Sequence, residues 1–181
     1  MLTVTVPGEE LYDERTQEFF NNPEQTLQLE HSLVSLSKWE AKWQKPFLTN
    51  EEKTTEETID YIRCMTITQN VKPDVYMRLM KSSSIINEIN SYISSPMTAT
   101  TFSDNKKGSG REIVTSELIY YWMISLNIPM ECQKWHLNRL LTLIRVCNIK
   151  NEPPKKMGKG DLIRRNAALN ASRRSKLNSR G

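Results

Sequence analysis

Leu2, Val4 and Val6 alternate with threonines up to Pro7-Gly8, a period of two that predicts a short strand ended by a turn. Asn21-Asn22-Pro23 is a second turn signal. Alternation resumes in Thr26-Leu27-Gln28-Leu29-Glu30, a segment suited to pair with the first strand in a small antiparallel ribbon. From Ser32 the period lengthens. Leu33, Leu36, Trp39 and Trp43 recur at three- to four-residue spacing, which predicts an amphipathic helix ended by Pro46. Thr54/Thr55 followed by Glu56-Glu57 reads as a cap with acid in the first turn, opening a second helix on Ile59, Ile62 and Met65. Pro73-Asp74 opens a third, with Val75, Tyr76, Leu79 and Met80 on its apolar side. Serines 82–84 cap a fourth bearing Ile85, Ile86, Ile89, Tyr92 and Ile93.

Thr98 to Phe102 is β-prone, and Ile113-Val114 follows the polar stretch Asp104–Gly110. A second hairpin is predicted there, with Lys106, Lys107, Gly108 and Gly110 at a mobile tip. Ser116-Glu117 starts the most hydrophobic segment, LIYYWMISLNI. Its apolar residues occupy nearly every face, which predicts a helix at the centre of the domain. Pro129 suits the first position of a last core helix, with Glu131 in its first turn, that carries Leu137, Leu140, Leu141, Ile144 and Cys147 on one side as far as Asn151. Pro153 to Gly160 has the composition of a linker. Asp161 then caps a helix to about Lys176 whose few large apolar groups, Leu162, Ile163 and Leu169 among them, make it marginal alone. No internal repeat is present. The expected fold is mainly α (α+β): a compact domain of about six helices over residues 1–151 with one or two small β-hairpins. Residues 152–181 form a basic tail, mobile or docked on a partner.

Composition narrows the function. The 181 residues are 38% hydrophobic and 25% charged, enough for one domain with a real core. No run of about 18 apolar residues occurs, so no membrane span is expected. The first ten residues lack the basic and apolar regions of a secretion signal. Cys64, Cys132 and Cys147 are odd in number and widely spaced, which favours buried thiols in a reducing cytoplasm over disulfides. The net charge of +4 conceals a split: residues 150–181 hold ten Lys/Arg against Glu152 and Asp161, a net of +8, which leaves −4 on the rest.

Candidate chemistry is sparse. His31 and His136 are the only histidines, and neither has a carboxylate or cysteine at metal-ligand spacing. Glu131, Cys132 and His136 bring a thiol and an imidazole within one helical turn, but without an orienting third group or oxyanion donors. No glycine-rich phosphate loop occurs, and no catalytic residue, metal ligand or cofactor is assigned. Most aromatics at helical spacing read as core. Trp39 and Trp43 are the best exceptions: with Lys38, Lys42, Gln44 and Lys45 around them, one helix face reads as an aromatic, basic protein contact. The tail cations Lys155, Lys156, Arg164, Arg165, Arg173 and Arg174 suit a solvated end, a nucleic-acid phosphate contact, or an acidic protein surface. Aromatics that stack bases are absent from residues 150–181.

The runs LEHSLVSLSKWEAKW (29–43), ETIDYIRCMTIT (57–68) and ELIYYWMISLNIPMECQKWHLNRLLTLIRVCNIKN (117–151), with the closing NAALNASRRSKLNSRG, resemble the tail assembly chaperones of tailed bacteriophages. The resemblance implies a helical, non-catalytic protein of the infected cell's cytoplasm. Such a protein binds the tape measure protein and holds it extended while the tail tube polymerises. A second copy of the chain is a further candidate partner. The alternatives are a structural virion protein of the head–tail connector or neck, and a nucleic-acid-binding regulator acting through the basic tail.

Overall fold

The computed structural model describes residues 1–15, 17–102, 113–152 and 158–177. The described chain is mainly helical with two short antiparallel strand pairs, an α+β fold. It divides into two compact units, Met1–Asn148 and Ile149–Gly181.

The first unit opens with β1 (Leu2–Val6), β2 (Glu9–Asp13), β3 (Glu18–Asn22) and β4 (Gln25–Leu29). The expected pairing of the first strand with 26–30 is present: Leu2 lies opposite Leu29, Val4 opposite Leu27 and Val6 opposite Gln25. β2 and β3 were not anticipated. They pair with Glu9 opposite Asn22 and Asp13 opposite Glu18. Both pairings keep one register, so the four strands form a single long hairpin interrupted only at Pro7-Gly8 and Pro23-Glu24. The interruption has a simple cause, because each proline removes a ladder donor. Gly8 is needed at this joint. A Cβ there would lie 2.9 Å from the Asn22 carbonyl oxygen and 3.2 Å from the Glu24 nitrogen.

The inner half of the hairpin packs against helices. Val4, Val6, Leu27 and Leu29 point inward and are buried. They meet α2 (Thr55–Met65), α3 (Pro73–Lys81) and α4 (Ser83–Ser94) through Ile62, Met65, Val75, Leu79 and Ile89. The chain leaving α2 runs beside β4, where Ile67 donates to the Gln28 carbonyl (2.8 Å) and Glu30 to that of Met65 (2.9 Å). α3 also holds the joint. Arg78, buried at 7% exposure, donates from Nη1 to the carbonyls of Pro7 (2.8 Å) and Pro23 (3.2 Å), one on each strand.

α1 (Leu33–Trp43) lies between two apolar clusters. Trp39 belongs to the cluster just described, whereas Leu33 and Leu36 join a second with Ile119 and Met123 of α5 (Ser116–Ser125) and Leu137, Leu140 and Ile144 of α6 (Leu137–Asn151). Three expectations change here. The α5 helix is not central: only Ser116, Ile119 and Met123 are buried. Pro129 does not open α6. It precedes a 3-10 turn, Met130–Lys134, and α6 starts afresh at Leu137 after the Trp135-His136 break. Thr98–Phe102 and Ile113-Val114 form no strand, and the tip expected at Lys106–Gly110 lies outside the described residues.

The second unit contains α7 (Lys159–Leu177), in which every residue with a described side chain is exposed. No helix among the described residues is long and apolar enough to cross a membrane.

Candidate functional site

The aromatic, basic face of α1, expected as a protein contact, meets α2 within the chain. Trp39 is 1% exposed and its Nε1 donates to the Glu57 carbonyl at 2.9 Å. Trp43 is half-buried and donates to the Asp60 carboxylate at 2.9 Å, beside the Lys42–Asp60 ion pair. Lys45 reaches Glu57 at 2.8 Å, and this bond holds the Glu57 carboxyl below the usual carboxylate range, aided by the Thr54 N–H. Trp39, Lys42, Trp43 and Lys45 are thus spent on the first turns of α2. Of the four expected contact residues, Lys38, Trp39, Lys42 and Trp43, Lys38 is exposed and, among the described residues, forms no hydrogen bond or ion pair with α2.

Glu40 joins the same helix to the second cluster. Its buried carboxylate accepts from the Phe47 N–H (2.8 Å) and from the Ser116 N–H that begins α5 (2.7 Å). A buried charge is retained only with such partners, so Glu40 fixes where α5 starts relative to α1.

The two histidines meet in the interior. Their ring centroids lie 5.1 Å apart. The His31 Nδ1 is 2.6 Å from the Tyr61 hydroxyl, and the His136 Nε2 is 3.0 Å from the Tyr92 carbonyl. Burial, with the neighbouring His136, lowers the His31 pKa to about 4, and burial also lowers that of His136. Both rings are therefore neutral near pH 7. The Cys132–His136 arrangement does not form on one helix, because the 3-10 turn ends between them. No cluster of metal-ligating side chains occurs among the described residues. Cys64, Cys132 and Cys147 are free thiols.

Of the tail cations, Arg164, Arg165, Arg173 and Arg174 lie exposed on α7, while Lys155 and Lys156 fall outside the described residues. The apolar groups of α7 are exposed too, Ile163 at 67% and Leu177 at 76%.

Two apolar surfaces were missed. The first is on α5, where Tyr121 (63% exposed) and Ile124 (66%) are three residues apart on one face, with half-buried Leu118 one turn earlier. Ile113 and Met130 at the flanks of α5 are exposed as well. The signal was present in the sequence as a helix apolar on all sides. Such a pattern predicts burial, but α1, α6 and the 3-10 turn cover only the side of the helix that carries Ile119 and Met123. The second is the outer half of the hairpin, where the Tyr12 and Phe19 rings meet across the strands, tilted by 50° with centroids 4.9 Å apart, and remain 51% and 71% exposed. Soluble chains rarely leave apolar groups clustered in this way unless something docks on them.

No family model matches the chain, and no curated protein or solved structure is significantly similar to it.

Proposed function

We propose that the protein is a non-catalytic binding protein for an apolar helical segment, acting as a phage tail assembly chaperone whose client is the tape measure protein. The observation that carries the binding role is the exposed face of α5, Leu118–Tyr121–Ile124, which lies on one stripe as helix-in-groove contacts require. The face rests on a fixed base, since Glu40 pins the first turn of α5 and Ile119 and Met123 anchor its inner side. The choice of client rests on the resemblance of residues 29–43, 57–68 and 117–151 to that chaperone family.

Co-expression tests this reading. The wild-type chain should keep the cognate tape measure protein soluble and co-purify with it. The double variant Tyr121→Glu/Ile124→Glu should lose the client while keeping its circular dichroism and melting temperature, because both side chains are already in water. Undiminished co-purification by that folded variant sinks the assignment of the face. Mass spectrometry of purified virions separates the chaperone, expected to be absent, from a connector or neck protein, expected in ring-symmetric copy number.

A further inference from the structure

The outer half of the hairpin and the helix α7 share a deficiency and differ in sign. A two-stranded ribbon is marginal in water unless another surface covers it. Here Leu11, Tyr12 and Phe19 are all more than two-fifths exposed. Helix α7 has no buried side chain among those described, and a helix without tertiary packing is marginal too. Residues 9–24 carry six carboxylates against Arg15 alone, a net of −5. Residues 159–177 carry six cations against Asp161 alone, a net of +5.

We infer that the outer hairpin of one copy docks on α7 of a second copy, so that the protein self-associates head to tail. The charges decide the mode. Two hairpins brought face to face would set −5 against −5, and two α7 helices +5 against +5, so an isologous contact through either element is opposed. Hairpin on helix neutralises both. Tyr12 and Phe19 supply an apolar platform for Ile163 and Leu169, with Glu10 on the platform face of β2 and Glu14 and Glu18 exposed at the end of the ribbon to meet Arg164, Arg173 and Arg174. After one such contact the first copy still has a free helix and the second a free hairpin. The assembly therefore propagates, closing as a ring or continuing as a filament. The inference is independent of the α5 face and of the client assigned to it.

Sedimentation of the full chain at low and high salt is the test. Wild type should form species larger than a monomer at low salt and dissociate as salt rises, because screening shortens the reach of the charges from about 30 Å at 0.01 M to about 3 Å at 1 M. The hairpin variant Glu10→Lys/Glu14→Lys/Glu18→Lys and the helix variant Arg164→Glu/Arg173→Glu/Arg174→Glu should each be monomeric at low salt. Mixed in equal amounts, the two should associate again, since each then carries what the other lacks. Tyr12→Ser/Phe19→Ser leaves the charges in place and should weaken association about tenfold, roughly 1.4 kcal/mol. The inference is overturned by a wild-type monomer at low salt, or by association that survives the hairpin reversal. It is equally overturned if the mixture stays monomeric while both reversals in one chain restore a compact monomer, which would place the contact within one copy. Duplex DNA bound by a monomeric wild type and lost only in the helix variant would give α7 to nucleic acid instead.

Discussion

The inner and outer halves of the N-terminal hairpin are built in one register, yet they differ in almost everything else. In the inner half, Val4, Val6, Leu27 and Leu29 are at most 2% exposed and every intervening side chain faces outward. In the outer half, apolar residues stand on both sides of the ribbon: Leu11 and Tyr12 are neighbours in sequence and so point to opposite faces, and both are exposed. Backbone pairing is therefore the same in the two halves, and burial is what separates them. Alternation in a sequence records the presence of a covered face, not the presence of a strand.

The largest effect expected from breaking this contrast comes from the inner half. Leu27→Ala removes a fully buried side chain between the hairpin and its helices and should cost about 2–5 kcal/mol in denaturant unfolding. Phe19→Ala, in the outer half, should change the stability of the monomer by no more than about 0.5 kcal/mol. Equal costs at the two positions would mean that the outer half is packed after all.

Acid should loosen the inner end next. His31 follows β4 by two residues and is held neutral by burial, with its pKa lowered from 6.5 to about 4. An unfolded chain takes up a proton there below pH 6.5 that the folded chain refuses until about pH 4. The stabilisation is thus complete above pH 6.5 and fades as pH falls through that window, by about 3 kcal/mol at most. His136, shifted the same way, adds to the slope. Unfolding free energies measured between pH 7 and 4 check this. His31→Gln should flatten the curve, and an unchanged slope would remove His31 from the account.

This contrast also explains how much was legible in the sequence. β1 and β4 were readable because one face is covered. β2 and β3 were not, since Glu-Glu-Leu-Tyr-Asp and Glu-Phe-Phe-Asn-Asn have no period of two. The first four helices were readable from caps and apolar spacing, and Thr54 does cap α2, with Glu57, expected only as first-turn acid, answering it in a reciprocal pair. Side-chain partners were harder. Trp39, Trp43, Lys42 and Lys45 advertise a contact, but whether it is internal depends on Glu57 and Asp60, brought alongside only by tertiary folding. The α5 helix shows the opposite error, because apolar residues on every side state a demand for cover and not its supply.

The joint between the two halves gives smaller and more selective effects. Arg78→Met keeps the buried stem and removes the donors that tie Pro7 to Pro23, so about 1–3 kcal/mol should be lost. Amide exchange should show where. Protection of the outer pairs, Leu11 with Phe20 and Tyr12 with Phe19, should fall more than that of Val4 with Leu27.

Gly8→Ala probes the same joint from the other side and should have the smallest effect among the changes that disturb packed positions. The new methyl group would meet the backbone of Asn22 and Glu24, neither of which is the flexible end of a side chain. Either the strands separate locally or the outer half tilts. The cost should sit near the low end for overpacking, about 1 kcal/mol, because the ladder is already interrupted at the prolines and a small opening breaks no further pair. In the wild type, the joint passes the register of the inner half on to the outer half without help from burial. If Gly8→Ala leaves inner-half exchange intact but erases protection in β2 and β3, the outer half depends on the joint for its order. If both halves respond alike, the hairpin folds as one cooperative unit, and exposure alone distinguishes its ends.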